Sequence, residues 1–226
     1  MTEQRVHLGD LPRFRDTTGD VLTVIGAGAL RRADCSGLRW KRLIVEGEES
    51  YLQSFLLKLR TKSTSPSFVE CDFSGMRVGH FNAWNSVFRE CSFEDVDVTV
   101  GLGMMNTDLI GCSFSGNWSG NISAVRGRRR LRVEGNDFSR ISGVEFYGGV
   151  DWRANRFDVG GSQLILQKGA VVHPTVRRLA SELPYFGLQV QSLTTGQPFG
   201  YSQDWLLLER GGFSVNQWDA LVSALA

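Results

Sequence analysis

A Cys-x-Phe unit that returns after about twenty residues constrains this chain more than any other feature. It stands at "CDFSG" (71–75), "CSFED" (91–95) and "CSFSG" (112–116). Weaker copies follow at "NDFSR" (136–140) and "NRFDV" (155–159), with "ADCSG" (33–37) upstream. The centres are Cys35, Phe73, Phe93, Phe114, Phe138 and Phe157, and from Phe73 onward the intervals are 20, 21, 24 and 19. A finer step of five runs underneath. Phe68, Phe88, Leu109, Val133 and Trp152 stand five residues before the last five centres, and Val78, Ala83 and Val98 fill further steps. Upstream, Ile25, Leu30, Cys35, Trp40 and Val45 keep the same spacing. Five fits neither the 3.6-residue helix nor the two-residue strand.

A five-step makes physical sense if each pentapeptide forms one short extended segment and one turn, so that four of them close a roughly square coil. The apolar centres then point inward, and the chain climbs by one inter-strand spacing of ~4.8 Å per coil. Backbone groups pair with the coils above and below, and inward Phe rings form a ladder. Such a solenoid is stabilised by nearest-neighbour contacts and needs protected ends.

These repeats resemble those of the pentapeptide-repeat family, which run small–Asp/Asn–Leu/Phe–x–x. The resemblance covers residues 68–159 and, upstream, 25–45, about half of the chain. It implies a right-handed quadrilateral β-helix. The expected fold is therefore an all-β solenoid over 1–172, with an inserted helix, followed by a C-terminal α-helical cap region over 173–226.

Two insertions interrupt the repeat. Over about 47–62, Tyr51, Leu52, Phe55, Leu56 and Leu59 fall at helical spacings after an acidic first turn. This helix packs on its own solenoid or makes a dimer contact. The interval from Phe114 to Phe138 carries four extra residues, expected as a basic loop at about 117–132 with Arg126, Arg128, Arg129, Arg130 and Arg132. Such a cluster binds phosphate or an acidic partner; the alternative is a solvated turn that balances acidic neighbours. Residues 68–159 hold 12 acidic and 10 basic residues, and without these five arginines the balance falls to −7.

After Phe157 the period fades. "SQLILQKGAVV" (162–172) reads as a terminal strand, and Pro174 starts a short helix that ends before Pro184. Residues 185–213 show no clear period. In the last segment Ser214 and Gln217 have capping-box spacing, and Trp218, Leu221, Val222 and Leu225 line one helix face. That face covers the open end of the solenoid, because a bare coil edge invites pairing, or it docks on a partner or a second copy.

The chain has 226 residues, 42% of them apolar, and a net charge of +1. No global basic surplus points to nucleic acid or a membrane surface. No apolar run reaches membrane-span length, and residues 1–20 lack a signal-peptide core, so the expectation is a cytoplasmic protein. Cys71, Cys91 and Cys112 lack a Cys-x-x-Cys unit or a His pair, so they read as small buried thiols on one face, like Ala33, and not as metal ligands. His7, His80 and His173 fit no triad or zinc motif, and His80 after Gly79 is expected in a surface turn. "GAGAL" (26–30) lacks the third Gly and the helix of a dinucleotide loop. Asp72, Asp137 and Asp151 occupy places where the side chain bonds nearby backbone amides. No catalytic, cofactor or metal site is therefore expected, and the chain does not read as an enzyme.

The expected function is a non-enzymatic interaction protein with a protein partner: a rigid rod of bacterial regulatory, immunity or resistance type. The family resemblance implies an alternative, a DNA-mimicking protein that binds gyrase-type topoisomerases. The interruptions, the Arg loop and the near-neutral charge argue against that role. A further alternative is binding of nucleic acid or another anionic partner through the Arg loop, with strongly salt-dependent affinity.

Overall fold

A computed structural model describes residues 2–17, 20–25, 29–40, 42–45, 66–123, 132–148, 150–195 and 204–225. The expected helix at about 47–62 and Arg126, Arg128, Arg129 and Arg130 lie outside the described residues.

Five-residue steps become two stacks of parallel strands. One sheet runs in the order β1 (Glu3–His7), β2 (Val21–Ile25), β4 (Arg42–Val45), β6 (Arg77–Ala83), β8 (Ser92–Met105), β10 (Ser113–Ser123) and β12 (Asp137–Tyr147). The other contains β3 (Ala29–Arg31), β5 (Ser67–Val69), β7 (Val87–Arg89), β9 (Asp108–Ile110) and β11 (Val133–Glu134). The chain alternates between the sheets, and every strand pairs with the strand one turn away. The result is a parallel β-solenoid of about five turns.

Register turns the sequence period into columns. Leu30, Phe68, Phe88, Leu109 and Val133 stack in one sheet. Val6, Val24, Val45 and Ala83 align in the other, as do Met104, Ile122 and Phe146 above them. Between these runs the ladder of centres, with ring centroids 4.9 Å apart for Phe73–Phe93, 4.8 Å for Phe93–Phe114, 4.9 Å for Phe114–Phe138 and 5.5 Å for Phe138–Phe157. The first two pairs are nearly parallel, at 6°. Ring stacking of this kind adds roughly 0.5–1.5 kcal/mol per pair beyond area burial. The spacing is the inter-strand distance itself, so the ladder follows from backbone pairing.

Two positions differ from expectation. Ile25 is not an inward centre: it aligns with His7, while its neighbour Val24 is buried and aligns with Val45. The step from Val24 to Leu30 is thus six residues, and the five-residue count had hidden one extra residue. His80 lies within β6, half-buried, and not in a surface turn.

A left-handed residue stands two places after each member of the Leu30–Phe68–Phe88–Leu109–Val133 column. Arg32, Glu70, Glu90, Gly111 and Gly135 form one such column, with φ between 50° and 69°. Their N–H groups donate to Val69, Arg89, Ile110, Glu134 and Ala154, always one turn ahead, at 2.7–3.0 Å. Asn85 and Asn106 do the same at another corner, donating to Met105 and Ser123. One place before the centres, Asp34, Asp72 and Asp137 accept from the amide two residues on, at 2.9, 2.9 and 3.0 Å. Asp151 caps a short 3-10 helix likewise. These carboxylates are local turn devices, as their spacing had indicated.

The cysteines have a structural use of the same kind. Cys71 donates its thiol to the Leu30 carbonyl and Cys91 to that of Phe68, each one turn back. In the equivalent places of later turns, Asn136 donates to Leu109 at 2.9 Å and Asn155 to Val133 at 2.8 Å. Cys and Asn therefore alternate in one role, a compact buried donor to a corner carbonyl. Burial pushes the Cys35 thiol up to about 12, so it stays neutral.

The stack ends in a two-stranded antiparallel ribbon, β13 (Gln163–Gln167) with β14 (Trp205–Glu209). Ile165, Trp205 and Leu207 join the solenoid core, where Trp205 stacks on Phe146 at 5.3 Å. The alternate residues Leu164, Leu166, Leu206 and Leu208 turn to a second core with helices α1 (Pro174–Glu182), α2 (Pro184–Thr195) and α3 (Val215–Leu225). Strand β13 thus leaves the parallel stack in which a terminal strand was expected. Buried Gln163 donates to the carbonyls of Phe138 and Ile141 at 2.9 and 3.1 Å. We predict that Phe93→Ala lowers unfolding free energy by about 3–5 kcal/mol in urea titration. Phe157→Ala, half-buried at the end of the ladder, is expected to cost less. Equal small losses at both sites would refute the ladder.

Candidate functional site

The most built feature of the surface lies where the solenoid meets the C-terminal helices. Strand β10 bulges twice against β8, the second time between Trp118 and Gly120. At Gly120 a side chain is impossible: φ is 149° and a Cβ would sit 2.3 Å from the Leu102 carbonyl oxygen. Strand β12 follows with Gly143 at φ 76°. The backbone there turns an N–H group outward, and Glu209 at the end of β14 receives it. Its Oε1 accepts from Gly143 N at 2.7 Å. This is a direct polar tie between the ribbon and the side of the solenoid.

Next to it opens a groove of about 550 Å³, whose lining includes Ser119, Gly143, Glu145, Tyr185, Glu209 and Phe213. Glu145 is fixed by two phenols. Tyr185 donates its hydroxyl to Oε1 at 3.0 Å, and Tyr147 donates to Oε2. Burial raises both tyrosine pKa values, and the bond to Glu145 raises them further, so the phenols remain donors. Burial also raises the Glu209 carboxyl above its ordinary range, against the pull of the Gly143 amide. Among the described residues the lining carries no Lys or Arg, and neither carboxylate has an ion-pair partner.

Helix α2 forms the groove's outer wall. Pro184 starts it, Phe186 and Val190 face the second core, and Tyr185 and Leu188 stay 67% and 52% exposed. The rest of the solenoid surface is arranged differently. Four carboxylates there carry an arginine: Arg32–Glu70 at 2.6 Å, Arg77–Asp95 at 3.3 Å, Arg140–Glu94 at 2.7 Å and Arg156–Asp137 at 3.2 Å. Each such exposed pair contributes little to stability, but together they break up the acidic surface turn by turn.

Among the described residues, those singled out in sequence do not line this groove. Arg132 enters β11, where its guanidinium pairs with Glu134 and its backbone N–H donates to Asp108 at 3.2 Å. On α3, Trp218 and Leu221 are buried in the second core, and Val222 and Leu225 pack against it. Ser214 and Gln217 form the expected reciprocal cap at 2.9 and 3.4 Å. His173 caps α1 through Nδ1, accepting from Thr175 N–H at 3.3 Å, while His7 is exposed on β1. Among the described residues no group of three or more His, Cys, Asp or Glu is placed to hold a metal ion, and no helix is long and apolar enough to cross a membrane. Glu145, Tyr185 and Glu209 escaped notice because they lie in the aperiodic region or on a strand whose period had already been assigned to the core.

Compared with known proteins, the chain matches no family model, no curated protein and no solved structure. The tie at Glu209 gives a stability test. Glu209→Ala strands the Gly143 N–H and is expected to cost about 1–3 kcal/mol in urea unfolding, whereas Glu209→Gln retains an acceptor and recovers most of that loss. Equal losses for both would place the effect elsewhere.

Proposed function

We propose that this chain is a non-enzymatic interaction protein, with a rigid solenoid as the platform and the groove beside α2 as the surface that receives a protein partner. One observation carries this reading. The described Phe side chains are packed in the solenoid or the second core, yet Tyr185 and Leu188 are displayed on α2, 67% and 52% exposed, and Tyr185 lines a charged groove. Exposed apolar groups rimmed by polar ones mark interaction surfaces.

We read each turn as four-sided and right-handed, in keeping with the pentapeptide-repeat resemblance, because four columns of inward residues recur per turn. We read the ribbon and helices as a cap, because Trp205, Leu207 and Gln163 meet the last turn's rings and carbonyls. The resemblance also supports a bacterial regulatory, immunity or resistance-type role. Free, buried cysteines suit a reducing, cytoplasmic compartment. The arginine pairs that interrupt the acidic surface weigh against a DNA-mimicking, gyrase-binding rod.

The test is affinity purification from the native host with the wild-type chain and a Tyr185→Ser/Leu188→Asp variant. Both substitutions are on exposed positions, so the variant should melt at the wild-type temperature. Partners recovered with the wild type should be lost with the variant. Identical recovery by both chains would remove the groove as the docking surface.

A further inference from the structure

We propose that the groove receives a basic side chain, an arginine or lysine presented between apolar neighbours by a partner protein. This rests on the docking role proposed for the groove and names the chemistry that the groove selects. The argument starts from charge. Glu145 and Glu209 share one lining that holds no Lys or Arg among the described residues. On the solenoid Glu70, Glu94, Asp95 and Asp137 each pair with an arginine. In the groove two carboxylates share one lining with no ion-pair partner among the described residues.

Both are also held in place by neutral donors. Two phenols bind Glu145 and the Gly143 amide binds Glu209, so hydrogen-bonding capacity is partly met while the charge is not. A fixed and partly desolvated pair of carboxylates is incomplete until a cation arrives, and burial makes that attraction stronger than in bulk water. Charge-assisted bonds to such oxygens are the stronger class of hydrogen bond. The walls suit the stem of a long basic side chain. Tyr185 and Phe213 are in the lining, and aromatic rings attract guanidinium and ammonium groups. The rim of Pro184, Tyr185 and Leu188 is exposed and apolar, which asks for apolar residues on either side of the cation. A groove of about 550 Å³ has the size of pockets that enclose a ligand of this class.

The test uses four fluorescein-labelled peptides of sequence Gly-Ala-Leu-Xaa-Leu-Ala-Gly, with Xaa as arginine, lysine, citrulline or glutamate, titrated with the full chain by fluorescence anisotropy. The arginine and lysine peptides should bind at least tenfold more tightly than the citrulline peptide, and the glutamate peptide least. In Glu145→Gln, which must keep the wild-type circular dichroism and Tm, the preference for arginine over citrulline should fall to within twofold. Equal binding of arginine and citrulline peptides overturns the proposal, as does a preference that survives Glu145→Gln. If all four bind alike and Tyr185→Ser/Leu188→Asp abolishes binding, the cation proposal fails while the docking reading stands. Binding of none overturns the proposal, and the docking reading then rests on the host-partner comparison alone.

Discussion

The backbone ladder between turns is the constraint on which the rest of this structure depends. At one corner, the N–H groups of Arg32, Glu70, Glu90, Gly111 and Gly135 all reach forward to the next turn. On the adjoining side Ser92, Ser113 and Asp137 reach back to Cys71, Cys91 and Cys112. A chain that must satisfy its buried backbone in this way has to make successive turns of nearly equal length. Equal turns bring like residues into columns, and columns one strand spacing apart are close enough for Phe rings to stack. The left-handed corners, the Asp side chains that bond their own turns and the Cys and Asn donors are all local means of keeping each corner in register. A missed bond in this buried frame costs about 1–3 kcal/mol, so small departures are expensive and are confined to insertions and bulges.

The same constraint explains the far end. A solenoid has no natural stopping point, because its last turn still presents paired-strand geometry to the outside. Here the stack is met by Gln163, which bonds two carbonyls of the last turn, and by Trp205 and Leu207 against its rings. The ribbon that supplies them is apolar on both faces, so the helices must cover its other side. The groove is a by-product of that junction. Beside the bulge of β10, Glu209 ties the Gly143 amide of β12 to the ribbon, and Glu145 lines the same groove.

Much of the solenoid was legible in the sequence, because a period of five has few physical explanations. Phe73, Phe93, Phe114 and Phe138 stack as their spacing required. What failed did so for definite reasons. Ile25 was taken as a centre because an extra residue before Leu30 leaves an apolar residue at both candidate positions, Val24 and Ile25. "QLILQ" and "WLLLE" gave no alternation because both faces of the ribbon are buried, and such runs carry no period. Helix α2 was missed for a related reason. It buries Phe186, Val190 and Leu193 but also displays Tyr185 and Leu188, so its apolar residues do not form one stripe. That violation of simple patterning coincides with the surface assigned here to partner binding. The groove carboxylates had no sequence signal at all, since Glu145 and Glu209 are 64 residues apart and meet only through the bulge.

The central claim is that residues about twenty apart are hydrogen-bonded neighbours in a parallel stack. It is tested most directly by measuring scalar couplings across backbone hydrogen bonds by NMR on isotope-labelled protein. The account predicts couplings from Phe73 N to the Ser92 carbonyl, from Ser92 N to Cys71 and from Glu90 N to Ile110. Couplings from these amides to carbonyls four residues back, or to antiparallel hairpin partners, would contradict it.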